Sequence, residues 1–328
     1  MTDDSSSGSE FNLIQRYFLP LARSDAGSLD LGDDGALLDV PVGQQLVVTT
    51  DALVAGVHFL DSLSPQDIAH KVVGVNLSDL AAMGATPRAV FLAAQFCKDT
   101  DESWIAAFAQ GIGEALDDRG AVLMGGDSVS TPGPLAFTLT ALGLVDAGKA
   151  LKRSGARVGD DVYVTGTIGD GALGLLCRTG ALPDRAYLGN RYARPKGRFA
   201  FGHGLGQGEL ASACVDISDG LAADLGHICA ASNVAMELDA ARVPLSDAAR
   251  ACVDENADLL KTVLSGGDDY ELAFCAGPDS GDALNALAHQ SGVDITCVGR
   301  VVAGRAGLRV FDPTGKALDL GHGGYVHL

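Results

Sequence analysis

The sequence predicts an α/β (α+β) protein built as two α/β domains. Three observations carry this. Short apolar runs suited to strands alternate along the chain with stretches whose apolar residues recur at helical spacing. Turn chemistry separates them throughout, with 43 Gly among 328 residues. One stretch, 146–159, is rich in Gly and basic residues and has no periodicity, which sets a domain boundary near residue 150. The expected division is a tail over 1–10, an N-terminal domain over 11–150 and a C-terminal domain over 151–328.

The tail, MTDDSSSGSE, is acidic and polar. It lacks the basic and apolar blocks of a signal peptide and reads as disordered. Residues 11–23 suggest a short amphipathic helix. Two strand-like runs follow, 36–40 and 45–50, with Pro41-Val42-Gly43 as the turn between them. Ser64 is an N-cap, Pro65 takes the first helical position and Asp67 adds an acid in the first turn, so a helix runs from there to Met83 and stops at Gly84. Strands are expected over 88–96, 121–124 and 135–145. The helix over 102–118 places Ile105, Phe108, Ile112 and Leu116 on one face. In the second half strands over 161–165, 213–217, 270–275 and 294–301 alternate with helices over 172–178, 221–231 and 282–290. A loop with Pro and Arg spans 182–196. One device occurs twice: an apolar run, two glycines and a carboxylate, at 122–127 and again at 263–268.

Acids outnumber bases 42 to 23, for a net charge of −19. A field of that sign repels nucleic acid and anionic membrane surfaces, so neither is an expected partner. No apolar run reaches the ~18 residues of a membrane span. The seven Cys show no CxxC spacing and mostly sit in apolar runs. They read as buried hydrophobes in a reducing cytoplasm.

Most carboxylates belong on solvated surfaces. The informative ones interrupt apolar or Gly-rich runs, because an isolated buried carboxylate is costly. Asp33 and Asp34 lie between glycines, Asp51 closes the run from Leu46 to Thr50, and Asp79 interrupts the apolar VVGVNLSDLAAM. Asp127 follows Gly125-Gly126, Asp216 and Asp219 bracket Ile217-Ser218, and Asp268 and Asp269 follow Gly266-Gly267. Singly, several have plain readings: Asp33-Asp34 as a turn, Asp219 as the N-cap of the helix from Leu221. Together they repeat one placement, the end of an apolar element, where open α/β folds bind ligands. Several carboxylates share a site only when a cation neutralises them. Hard oxygen donors without Cys or His pairs select Mg²⁺ or Ca²⁺, and Mg²⁺ combines a few carboxylates with substrate phosphates. The residues therefore suggest a magnesium–phosphate enzyme.

Two motifs are set aside. Residues 143–150 nearly match the Walker A pattern, but Ala150 replaces the metal-binding Ser or Thr and no helix follows. Residues 169–174 match GxGxxG, yet Asp170 would face a pyrophosphate, so a tight strand-to-helix turn is the better reading.

Across nine segments the chain resembles the thiamine-monophosphate kinase family of the aminoimidazole-ribonucleotide-synthetase-like superfamily. They are Gly32-Asp33-Asp34, Thr49-Thr50-Asp51-Ala52-Leu53-Val54, Gly56-Val57-His58-Phe59, the 75–84 run VNLSDLAAMG, Gly125-Gly126-Asp127, Arg153-Ser154-Gly155-Ala156, Val164-Thr165-Gly166-Thr167, the 216–221 run DISDGL and the 265–272 run SGGDDYEL. The resemblance implies transfer of the γ-phosphoryl of ATP onto thiamine monophosphate, giving thiamine diphosphate and ADP, the last step of thiamine diphosphate biosynthesis. It implies several Mg²⁺ ions and direct transfer without a phospho-enzyme. It also implies a mixed sheet in an ATP- and Mg-binding N-terminal domain, an active site in the cleft between domains, and a cytoplasmic homodimer built on the N-terminal domains. Residue by residue, metal ligation carries over to Asp34, Thr49, Thr50, Asp51, Asp79, Asp127, Asp216 and Asp219. ATP contacts carry over to Gly126, Asp127, Arg153 and Ser218, and thiamine-phosphate contacts to His58, Asp268 and Tyr325. Asp268 stands where the family often has Glu, and the C-terminus matches only through Gly324-Tyr325. Another ATP-cleaving enzyme of the superfamily and a non-catalytic metal- or nucleotide-binding protein are the competing readings.

Overall fold

The computed structural model describes residues 10–117 and 119–320. Positions 1–9 of the expected tail, Asp118 and Tyr325 lie outside the described residues. The chain forms two compact units. One ends at Leu77 and resumes over Pro87–Leu144; the other takes Ser78–Thr86 and everything from Val145 onward. The division thus passes through a helix, not only through the Gly-rich stretch.

The first unit opens with helical turns over Glu10–Leu13 (α1), Ile14–Phe18 and Leu19–Ala22. Its regular elements are β1 (Gln44–Val54), α2 (Pro65–Ala82), β2 (Thr86–Cys97), α3 (Glu102–Asp117), β3 (Val122–Thr131) and β4 (Ala136–Asp146), with the strands ordered β1-β4-β2-β3. β2 and β3 run parallel. Ala55 N–H donates to Leu135 O at 2.9 Å and the Thr50 hydroxyl to Leu139 O at 3.2 Å, which makes β1 and β4 antiparallel and the sheet mixed. The stripe expected on α3 is the buried one, with Ile105, Phe108, Ile112 and Leu116 all inside. Phe108 stacks on Phe137 at 4.4 Å between ring centroids. α2 is apolar on nearly every side and its residues are buried on nearly every side. The opposite side of β1 is left open, with Leu46 and Val48 exposed.

Residues 36–40 are not a strand. Ala36 and Leu38 pack on Ala89, Val122 and Met124, while Leu37 and Val40 face outward, so the alternation is real. Leu37 N–H is spent on Gly27 O at 2.8 Å, in a 3₁₀ segment, and no neighbouring strand takes up the run.

The second unit holds β5 (Asp161–Thr165), α4 (Asp170–Arg178), α5 (Ala186–Ala193), α6 (Phe199–Gln207), β6 (Ala213–Asp216), α7 (Leu221–Ser232), β7 (Ala235–Asp239), α8 (Asp247–Glu255), α9 (Leu259–Ser265), β8 (Leu272–Ala276), α10 (Gly281–Ser291), β9 (Ile295–Val302) and β10 (Gly307–Phe311). The sheet order is β10-β7-β9-β5-β8-β6. Only the β10–β7 pair is parallel; the others are antiparallel. The loop expected over 182–196 contains α5, whose Leu188 and Tyr192 are buried. Residues 169–174, expected as a strand-to-helix turn, are instead the N-cap and opening turn of α4, with Gly169 at φ +86°; the turn from β5 is made by residues 166–169. Five of the seven free cysteines are buried. Among the described residues no helix is long and apolar enough to cross a membrane.

Candidate active site

In the first unit Asp33, Asp34, Gly126 and Asp127 line one cavity of about 300 Å³, walled on its apolar side by Phe18, Phe91 and Leu123. The β2–β3 ladder slips one residue between Val90 and Phe91, so that Gly125 pairs with Phe91 and Met124 is passed over. A bulge of this kind re-aims the residues beyond it, here Gly126 and Asp127. Gly126 sits at φ +159°, and a Cβ there would lie 2.0 Å from Leu92 O. The second glycine of this motif is therefore demanded by strand packing, whatever approaches its amide. Asp127 is exposed, and its Oδ1 accepts the Ser128 N–H at 2.9 Å.

β1 separates its three predicted ligands. Thr50 turns to the other face from Thr49 and Asp51, as consecutive strand residues must, and its hydroxyl meets Leu139 O and the Thr140 hydroxyl. The Thr50 hydroxyl is thus engaged on the face away from Thr49 and Asp51. Asp51 N–H is held by the Oδ1 of fully buried Asn76 at 2.8 Å. Nδ1 of His58 accepts the Val54 N–H at 3.0 Å, which fixes the neutral tautomer with its proton on Nε2. Asp51 and Asp127 lie on the two opposite edge strands, three strand spacings or roughly 14 Å apart along the sheet.

In the second unit Asp216, Ser218, Asp219 and Asp268 come together where β6 ends and β8 begins. Asp216 pairs with Leu272, Asp268 N–H donates to Ser218 O at 2.9 Å and Tyr270 N–H to Ile217 O at 2.8 Å. Gly267 allows this approach, since a Cβ there would meet Ser218 O at 2.1 Å. Asp219 is not the N-cap of α7: Gly220 holds that position and Asp219 precedes it. The amides of Ser218, Asp219 and Gly220 all donate to Oδ2 of Asp224, each at 3.1 Å. Burial, and then the nearby Asp219 charge, push the Asp224 carboxyl up to about 7. These three amides are therefore already taken by a side chain. Arg153 is exposed, in a loop clamped by Ser232, whose hydroxyl donates to Arg153 O at 3.0 Å and accepts the Gly155 and Ala156 amides. Asp79 is half-buried on α2, next to fully buried Ser78.

A buried ionic network lies beneath Asp268. Glu271, fully buried, accepts from the Thr165 hydroxyl at 2.7 Å, from Arg191 at 2.9 Å and from both forks of Arg198. Asp269 accepts the Gly169 and Gly171 amides at 2.7 and 2.9 Å, and burial pushes its carboxyl up to about 8. Asp268 and Tyr270, alternating with these anchors, are half-exposed and left-handed at φ +74° and +52°. Non-glycine residues in that region are strained, and such strain gathers at functional sites. Of the pair Asp268-Asp269, then, only the first faces outward.

The donor set of carboxylate and hydroxyl oxygens fits a hard dication. Among the described residues the group of three possible ligands within 4.8 Å of one another is Asp219, Asp224 and His227. Magnesium does not need three protein ligands, because waters and phosphate oxygens fill its octahedron. The Asp34–Asp127 cavity and the Asp216–Asp219 loop both suit it. Asn76, Asp224, Ser232 and Glu271 were not singled out from sequence. Asp224 carried a weak signal, an acid placed within an otherwise apolar run.

The AIR synthase related protein N-terminal domain matches residues 32–145, and the corresponding C-terminal domain matches 157–311. A thiamine-monophosphate kinase of Escherichia coli O157:H7 is 44% identical over 326 residues, covering 97% of this chain and 98% of that protein. The crystal structure of thiamine-monophosphate kinase from Stenotrophomonas maltophilia superposes with a TM-score of 0.82 at 42% identity, over 92% of this chain and 98% of the other. The structure of AaThiL complexed with AMPPCP and TMP superposes with a TM-score of 0.77 at 29% identity, over 97% of both chains. With the carboxylates, glycines and His58 in these places, the chain belongs to the AIR synthase related family, among its thiamine-monophosphate kinases.

Proposed function

We propose that this chain phosphorylates thiamine monophosphate at the expense of ATP, giving thiamine diphosphate and ADP by direct, Mg²⁺-assisted transfer. The observation that carries the reading is near-full-length likeness to thiamine-monophosphate kinases, one of them solved with AMPPCP and TMP, in a chain whose carboxylates cluster where phosphates and metal would be met. Asp34, Thr49, Asp51, Asp79, Asp127, Asp216 and Asp219 would hold the metal by side chain; the family pattern adds Thr50. Mg²⁺, when bound, offsets the repulsion between two polyanions and the charge on the transferring group. Gly126 and Asp127 border the apolar-walled cavity that suits a nucleotide. Arg153, exposed on its clamped loop, pairs with polyphosphate oxygens through its planar fork. The family pattern adds Ser218 as an ATP contact. His58, donating from Nε2, and Asp268, presented on a strained turn, orient the thiamine phosphate; the family pattern adds Tyr325. No general base is needed, because the acceptor phosphate is already ionised near neutrality.

The apolar side of β1 that carries Leu46 and Val48 supports a homodimer formed through the first unit. Sedimentation should give twice the chain mass, and a monomer would remove this part of the reading. The five buried thiols fit a reducing cytoplasm. The central test is incubation with ATP, Mg²⁺ and thiamine monophosphate, with chromatography of the products. Thiamine diphosphate should accumulate only with Mg²⁺, and free thiamine should be a poor acceptor. ATP cleavage without thiamine diphosphate would point to another reaction of the superfamily.

A further inference from the structure

We infer that Asp224 is a positioning residue for the phosphate- and metal-facing turn 218–220, holding its backbone from behind; the inference rests on the function proposed above. The turn is short and crowded. Ser218 and Asp219 are half-exposed, while Gly220, at φ +122°, is packed so closely that a Cβ would lie 2.6 Å from Ser265 O. The three consecutive amides of 218–220 point inward, away from any ligand on the open side. Unpaired, they would be a set of orphan donors at the start of α7. One oxygen, Oδ2 of Asp224, satisfies all three at 3.1 Å. Asp224 itself is 1% exposed and donates its own amide to Gly220 O at 3.0 Å, so its position is locked by the helix it begins.

The geometry resembles the reciprocal half of a capping box, in which a side chain inside the first turn reaches back to the N-cap amide. It goes further here, reaching Asp219 and Ser218 as well. With the amides drawn inward, the Ser218 and Asp219 side chains remain on the half-exposed side. Ser218 O is also committed, accepting from the Asp268 amide at 2.9 Å. Asp224 therefore sets the backbone that carries Asp219, and through Ser218 the turn that carries Asp268. A plain cap would affect folding only. A positioning residue also affects how tightly the turn meets a metal-bound phosphate.

Calorimetric titration with Mg²⁺ and the non-hydrolysable nucleotide AMPPCP, without thiamine monophosphate, separates these roles. Asp224→Ala should weaken binding by about 100-fold, the scale of a misplaced contact, whereas Asp224→Asn, whose amide oxygen can accept the same three bonds, should stay within about threefold of wild type. Thermal unfolding of each variant is recorded alongside. Ala binding like wild type with a lowered melting temperature makes Asp224 a structural cap and overturns the inference. Loss of binding in a folded Asn variant overturns it too, because the charge would then act directly. Asp224→Ser, too short to reach three amides, is carried in parallel and read in the same way if the Ala chain does not fold. A wild-type chain that does not bind AMPPCP sinks the kinase reading and this inference with it. Wild-type binding with no difference among the variants sinks only this one.

Discussion

Asn76 of α2 holds Asp51 of β1: its Oδ1 accepts the Asp51 amide at 2.8 Å, while its Nδ2 donates within the helix to Val72 O at 2.9 Å. The amide is fully buried, so nothing else can replace either bond. Asn76→Ala leaves the Asp51 amide without its acceptor, at a cost of about 1–3 kcal/mol. Urea denaturation should show that loss. In the folded fraction, half-maximal activity should need more Mg²⁺, because Asp51 is no longer held in register.

Asp79→Asn should abolish turnover and leave folding intact. The position is half-buried on an apolar helix, so removing the charge is neutral or stabilising for the fold while a metal ligand is lost. Near-wild-type turnover in a folded Asn variant would return Asp79 to a structural role.

Arg153→Ala should lower kcat/KM for ATP far more than saturation by thiamine monophosphate, with little change in melting temperature, since the side chain is exposed. Arg153→Lys should rescue only in part, because an ammonium cannot copy the planar fork. Saturation curves for both substrates decide the matter. Matching curves would leave Arg153 merely solvated.

Glu271→Ala removes the carboxylate shared by Arg191 and Arg198, two arginines that are themselves largely buried. Breaking a buried pair in this one-sided way costs about 3–5 kcal/mol. The denaturation midpoint should fall accordingly. Glu271→Gln should recover part of the loss by keeping the Thr165 and Arg191 contacts, though not the charge.

The acid limb of stability should depend on Asp25. The Arg88 guanidinium, bonded at 2.8 Å, and then the Gly27 amide hold its carboxyl below the usual carboxylate range. A lowered acid contributes stability above its unfolded value and loses it as pH falls through the folded one. Arg88→Met should therefore raise the pH at which acid unfolding begins, followed by circular dichroism, and leave stability near neutrality less dependent on salt. An unchanged acid midpoint would remove Asp25 from this account.

The local code was legible where a signal is carried by neighbours in sequence. Ser64, Pro65 and Asp67 mark the start of α2, and the Ile105–Leu116 stripe marks the buried face of α3, because capping and helical periodicity are short-range. Carboxylates interrupting apolar or Gly-rich runs made Asp34, Asp127, Asp216, Asp219 and Asp268 candidates, since the cost of burying a charge is a property of the composition around it. The missed helix α5 lacked such a signal. Its burial comes from packing against α4, where Leu188 and Tyr192 meet Gly174.

Tertiary structure decided the rest. The two Gly-Gly-Asp segments look alike, yet 122–127 enters strand β3 and 263–268 leaves helix α9. What they share is close approach: the glycine before each acid meets a backbone oxygen from a distant element, Leu92 O or Ser218 O. The alternation at 36–40 did not make a strand, because a strand requires a partner and partners are long-range. Asp268 and Asp269 are adjacent in sequence and opposite in role, since only the folded chain brings the Gly169 and Gly171 amides to one of them. Sequence by itself determined which residue types could meet magnesium and phosphate. Which of them face outward, and which spend their charge on holding the others in place, depended on hydrogen-bond partners some hundred residues away that only folding brings within 3 Å.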